Sequence, residues 1–177
     1  MTEIHGVDQL TQDTETLCAP ATEERIETVG REETDEIQLS FQSKSQNERF
    51  SRTVVAAFVA RLDPTLEELG DIKTAVSEAV TNAIVHAYPE ELGKIQMKAR
   101  IFENRELELQ IRDWGRGIVD VEQARLPLFT TGGEERSGMG FTVMESFMDQ
   151  LKVRSKPGQG TVVTMKRRIS RRMGRRP

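Results

Sequence analysis

Apolar residues recur along this chain in two periods, and the changes of period mark its elements. Ile37, Leu39 and Phe41 alternate with polar neighbours, which predicts a strand opening at Ile37. Ser45-Gln46-Asn47-Glu48 has the form of a capping box, so a helix is expected from there to about Leu62. Phe50, Val54, Ala57, Phe58 and Leu62 form its apolar stripe, and Asp63-Pro64 ends it. Thr65-Leu66-Glu67-Glu68 repeats the capping pattern. The helix it opens is expected to reach about His86 and to bury Leu66, Leu69, Ile72, Val76, Ala79, Val80, Ala83 and Ile84. Two alternating runs follow. Ile95, Met97, Ala99 and Ile101 make one, Leu107, Leu109 and Ile111 the other, and Asn104-Arg105 is expected to turn between them. Residues 113–140 are Gly-rich and expected to be mostly loop, with a short helix at 121–124. Residues 139–148 read as a helix. Residues 151–155 and 161–166 read as strands joined by Pro157-Gly158-Gln159-Gly160. Strands grouped in hairpins, with helices between the groups, predict an α+β two-layer sandwich.

Charge adds two ends to this picture. Residues 1–37 carry eleven acidic and two basic side chains, residues 166–177 seven basic and no acidic ones, and the stretch between is close to neutral at −2. The expected organisation is an acidic, disordered extension over 1–36, one domain over 37–166 and a basic tail over 167–177. A nearly neutral domain argues against a dedicated nucleic-acid binder. The tail reads either as a solubilising, disordered end or as a contact for nucleic acid or an acidic partner. There is one cysteine, Cys18, no apolar run of membrane-spanning length and no signal-peptide pattern. No membrane association and a cytoplasmic location are therefore expected.

Four segments carry candidate chemistry. Glu78, Asn82 and His86 are spaced i, i+4, i+8 and share a helix face apart from the buried one. An amide oxygen suits Mg²⁺, and a carboxylate one turn away can accept a proton from an attacking hydroxyl. Alone, such a pair is also the wet face of any helix. Asp113-Trp114-Gly115-Arg116-Gly117 ends a strand. Its glycines permit close backbone approach, and its carboxylate could accept a hydrogen bond from an exocyclic amine such as that of adenine. Arg136-Ser137-Gly138-Met139-Gly140-Phe141 runs into a helix and so offers unpaired N–H groups to phosphate, without the Lys of a Walker A loop. Gly158-Gln159-Gly160-Thr161 precedes the last strand, where Thr161 could bond to the base.

The order of these four segments resembles the GHKL class of ATP-binding domains. Leu39-Ser40-Phe41, Ser45–Glu48, Leu62–Thr65, Ser77–His86, Pro127–Thr131 and Glu135–Phe141 further resemble the anti-sigma F factors of endospore-forming bacteria. The likeness covers about 37–166. It implies a GHKL-type sandwich whose sheet is mixed and mostly antiparallel, with helices on one face. It implies that the chain binds a sigma factor when ATP is bound, phosphorylates a serine of an anti-anti-sigma factor using Mg-ATP, and forms a homodimer. By the same likeness Glu78 is the general base and Asn82 the Mg²⁺ ligand, while Asp113 with Gly115 and Gly117 holds the adenine. Thr130, Thr131, Ser137, Gly138, Met139 and Gly140 belong to the lid and phosphate site, Thr161 to the base side. Arg52 lies on the partner surface. A general-stress anti-sigma kinase and a nucleotide-gated sigma clamp with little kinase activity are the alternatives. The segment Thr131-Gly132-Gly133-Glu134-Glu135 is shorter than the family's lid, and Trp114 stands where an acidic residue is common, either as pocket wall or as packing.

Overall fold

Alternation of apolar and polar residues builds one five-stranded sheet. The structure, a computed structural model, describes residues 32–126 and 139–171. The strands are β1 (Glu33–Gln42), β2 (Lys94–Phe102), β3 (Glu106–Asp113), β4 (Gln150–Lys156) and β5 (Gly160–Arg168), in the spatial order β1-β2-β3-β5-β4. Every ladder is antiparallel, so the mixed sheet expected from the resemblance is antiparallel throughout. β2–β3 and β4–β5 are hairpins, whereas β3 and β4, both antiparallel to the β5 that lies between them, run parallel to each other and are joined by a crossover connection.

The helices are α1 (Gln46–Val59), α2 (Leu66–Asn82), α3 (Val121–Arg125) and α4 (Gly140–Phe147). α2 lies between α1 and α4. Val55, Val59, Ile72, Val76, Val80 and Met144 meet Ile95, Met97, Leu107, Leu109, Ile111 and Met165 in a single core. Burying a side chain of this kind contributes about 1.5–3 kcal/mol, so this layer carries most of the stabilisation. The other sheet face is polar. In register across it stand Glu36, Arg100, Glu108 and Lys166. Arg100 lies 3.2 Å from Glu108 and 3.8 Å from Glu36, and Lys166 lies 3.1 Å from Glu108.

Several element ends differ from expectation. β1 opens four residues before Ile37, because Thr34 bonds to Ile101 O at 3.1 Å and Glu103 N to Glu32 O at 3.1 Å. The second capping box forms: Thr65 Oγ1 accepts from Glu68 N at 3.0 Å, and Glu68 Oε2 accepts from Thr65 N at 2.8 Å. The first does not. Ser45 has helical backbone and makes no side-chain cap, and the Glu48 carboxylate is engaged elsewhere. α1 tightens to a 3₁₀ turn over Ala60–Leu62, and α2 widens to a π turn over Ala83–Ala87. The π turn changes the helical phase after Asn82, so His86 does not continue the straight face of Glu78 and Asn82.

Candidate functional site

The chemistry-bearing residues converge at the end of the sheet where β3 finishes and β5 begins. Asp113 is buried, and its Oδ1 accepts from Gly115 N at 3.0 Å and Thr161 N at 3.1 Å. Burial raises its carboxyl above the ordinary Asp range, and the N–H groups of Gly115 and Thr161 act against that rise. One oxygen is thus committed to the fold. Thr161 Oγ1 lies 2.9 Å from Ser155 Oγ, which also accepts from Ile118 N at 2.8 Å and donates to Gly160 O at 3.0 Å. Ser155 therefore orients Thr161. That role was not legible in the sequence, since a serine in an alternating strand carries no distinguishing signal.

The loop after Asp113 is threaded between two elements. Arg116 N donates to Ala87 O at 3.1 Å, and Gly158 N donates to Arg116 O at 2.8 Å. A Cβ on Gly115 would strike Ala87 O, and one on Gly117 (φ +71) would strike Lys156 O. These two glycines dock the loop on the end of α2 and on the β4–β5 turn. Trp114 is no wall of this pocket. Its ring lies 4.7 Å from the Arg112 guanidinium and 5.1 Å from the Lys94 ammonium, cations of the polar sheet face. Tyr88 holds this corner, accepting from Trp114 N at 2.8 Å and donating to Lys94 O at 2.7 Å.

Glu78 and Asn82 meet the start of α4. A Cβ on Gly140 would lie 3.2 Å from both Glu78 Oε2 and Asn82 Nδ2, and 3.3 Å from Asn82 Oδ1. The first turn of α4, with its unpaired N–H groups, thus approaches a carboxylate and an amide one helical turn apart. Burial, and then the charge of Glu48, raise the Glu78 carboxyl above its usual range. Glu48 itself accepts a hydrogen bond from Ser77 Oγ and lies 3.0 Å from Arg52 Nε. It was read in the sequence only as a cap. Nothing at spacing i, i+3 distinguishes a glutamate that folds back on its own helix from one that reaches the next.

Among the described residues no three of His, Cys, Asp and Glu cluster as a metal site. Asn82 supplies a hard oxygen in a cradle kept open by Gly140, which fits Mg²⁺ held jointly with nucleotide phosphates. Met139 directly precedes α4 and is exposed. Thr130, Thr131, Ser137 and Gly138 lie outside the described residues. Among the described residues no helix is long and apolar enough to cross a membrane.

Comparison with known proteins agrees with this fold. Residues 41–167 match the histidine kinase-like ATPase domain family. An anti-sigma F factor of Caldanaerobacter subterraneus is 60% identical over 136 residues, covering 76% of this chain and 94% of its own. An anti-sigma F factor of Thermoanaerobacter sp. is 58% identical over 139 residues, covering 78% and 96%. This chain belongs to the anti-sigma F factor family, within the histidine kinase-like ATPases. The family's fold recurs in the crystal structure of the RsbU and RsbW domains of a Mycobacterium tuberculosis protein. There the TM-score is 0.58 at 20% identity, over 78% of this chain and 33% of that one. Members of the family match this chain over nearly their whole length, yet about a quarter of it has no counterpart in them.

Proposed function

We propose that this chain is an ATP-gated anti-sigma factor and a protein serine kinase acting on an anti-anti-sigma factor. The reading rests above all on one arrangement, the Glu78 carboxylate and Asn82 amide set against the first turn of α4. Mg-ATP, when bound, supplies the phosphoryl group to be transferred. The chain's own residues position it and prepare the nucleophile, which is where phosphoryl-transfer catalysis chiefly lies. Asp113 uses its uncommitted oxygen to accept from the adenine amine, in a pocket shaped by Gly115 and Gly117 and closed on the base side by Thr161. Asn82 holds the metal. The N–H groups around Met139 and Gly140 receive phosphate, joined by Thr130, Thr131, Ser137 and Gly138. Glu78 takes the proton of the incoming serine hydroxyl, and its raised proton affinity matches that task.

Arg52, one turn from Glu48 on α1, contributes to the surface that engages the sigma factor and its antagonist. By the family relationship the working form is a homodimer in the cytoplasm, and the sigma factor is the sporulation factor sigma F. The deciding experiment incubates the protein with γ-labelled Mg-ATP and the anti-anti-sigma protein. Label on a serine of that protein, absent with Glu78→Gln, is expected. Absence of label while ATP binding and sigma capture persist would overturn the kinase reading and leave a nucleotide-gated clamp.

A further inference from the structure

Both ends of the described chain leave the fold at the β2–β3 turn, away from the candidate site. Glu103 N donates to Glu32 O at 3.1 Å, and Ile169 N donates to Arg105 O at 3.0 Å, so the two exits sit two residues apart on one turn. Asp113 lies at the far end of β3, roughly 25 Å away at strand rise. The exit of the C-terminal end is fixed. Arg105, held at φ 63, donates to Leu62 O, to Ile169 O at 3.2 Å and to Ser170 O at 2.8 Å. Ser170 N donates to Glu68 Oε1 at 2.9 Å, and Ile169 is buried in the core.

A cavity of about 330 Å³ opens at this place, lined by Asn104, Arg105, Arg168, Ile169, Ser170 and Arg171. Three arginines line it. Arg105 is bonded to neutral carbonyls, and among the described residues none of the three is in an ion pair with a carboxylate. The nearby acids are occupied: Glu68 accepts from Thr65 N and Ser170 N, and Asp149 accepts from Arg168 N at 2.8 Å. Arg167 is paired with Asp71 at 2.9 Å. The charged lining of the cavity is thus wholly cationic, and Glu106, in register opposite Arg168, is shared with Lys166 at 3.8 Å, which makes the cavity an anion-receiving site.

We propose that this site is occupied by the chain's own acidic N-terminal extension, through its Glu23, Glu24 and Glu27 carboxylates. Residues 1–31 carry seven acidic side chains against two arginines. Glu27 stands only five residues before Glu32, whose carbonyl is anchored two residues from Arg105. Five residues span up to about 17 Å when extended, ample for the distance. A tether this short holds the acidic segment at millimolar effective concentration, so even weak charge-assisted bonds suffice. The extension and the basic tail are the parts of the chain in which acidic and basic residues segregate, and the fold brings their roots together. Docking neutralises the arginine-rich end and leaves the nucleotide end of the sheet clear.

Cys18 is the chain's only cysteine and lies in the extension, which makes it a site for a nitroxide label. Paramagnetic broadening of backbone amides in the full chain tests the docking. A flexible tether of fourteen residues would already visit within about 20 Å, so the decisive quantity is the change with salt. The expected result is broadening at Asn104, Arg105 and Arg168–Arg171 about threefold stronger at low ionic strength than in about 0.5 M salt. Combined Glu23→Gln, Glu24→Gln and Glu27→Gln should abolish the difference without touching the folded domain, and Arg168→Glu with Arg171→Glu should do the same. Broadening that ignores salt and all these substitutions, or that centres on Asp113 or α2, would overturn the proposal. So would broadening seen only when isotope-labelled chains are mixed with separate nitroxide-bearing ones, which would place the extension on another copy.

Discussion

The Ser77 hydroxyl of α2 donates to the Glu48 carboxylate of α1, which fixes a second negative charge beside Glu78. Burial and that charge both favour the protonated form of Glu78, so the folded state holds this proton more tightly than the unfolded chain does. The resulting stabilisation is full below the ordinary value of 4.5 and is lost as pH rises through the raised folded value. Near neutral pH the wild type therefore bears a cost that Glu78→Gln removes. Thermal denaturation should show the variant melting about 2 °C higher near neutral pH, with the difference vanishing below about pH 4. The same variant should lose phosphotransfer by at least a hundredfold while ATP titrates normally. A variant that melts lower near neutral pH would contradict the electrostatic account.

Among the described residues, Asn82 and Glu78 are the α2 side chains set nearest Gly140 at the start of α4. Calorimetric titration of ATP with and without Mg²⁺ should show that the metal strengthens binding to the wild type about tenfold or more, equivalent to about 1.4 kcal/mol. Asn82→Ala should bind metal-free ATP as before and gain nothing from Mg²⁺. An undiminished metal effect would remove Asn82 from that role.

Asp113→Asn is predicted to keep the fold, because the amide oxygen can still accept from Gly115 and Thr161. Its amide nitrogen would instead face the adenine amine, donor against donor. Loss of a hydrogen bond to an ionised acceptor costs about 1.5–3 kcal/mol, so ATP affinity should fall about 10- to 150-fold with unchanged circular dichroism. In the wild type, ATP affinity should begin to fall on acidification above the usual Asp range, since the raised Asp113 carboxyl is protonated early. Titrations over a pH series check both.

Arg52→Ala should weaken capture of the sigma factor at least tenfold, or about 1.4 kcal/mol, without altering ATP affinity. A pull-down and an ATP titration on the same preparation separate the two effects. Equal sigma capture by variant and wild type would take Arg52 off the partner surface.

The two capping patterns make a paired test. Thr65→Ala removes a formed box and should cost about 1 kcal/mol, lowering the melting temperature by about 2–4 °C. Ser45→Ala removes no cap bond and should change it by well under half as much.

Those two boxes also show where the sequence was legible. Ile37, Leu39 and Phe41, or Ile95 to Ile101, reveal strands because alternation is imposed by one buried face, and both hairpins follow from their turn residues. The candidate site was legible in its backbone devices, Gly115, Gly117 and the Asp113 carboxylate, because few residues tolerate those positions. Contacts between elements were not. Glu48 satisfies a local cap pattern and is claimed by Ser77, twenty-nine positions on. Ser155 orients Thr161 from a neighbouring strand, and Arg105 ties three carbonyls from two distant segments. Such choices are settled by packing, after the local options have all been found acceptable. The π turn after Asn82 likewise has no local sign, since Ala83 to Ala87 would propagate an ordinary helix.

The polar row on the sheet's outer face bears on how the edge strand β1 finds its place. Ile37, Leu39 and Phe41 recur every second residue, so sliding β1 by two positions would still send apolar side chains inward. That slip would take Glu36 from its place opposite Arg100 and set uncharged Gln38 or Thr34 there. Hydrophobic burial thus chooses which face of β1 turns in, while the charges choose which residue meets which. The outer face works as a ruler, making one alignment electrostatically distinct among several that the core alone would accept.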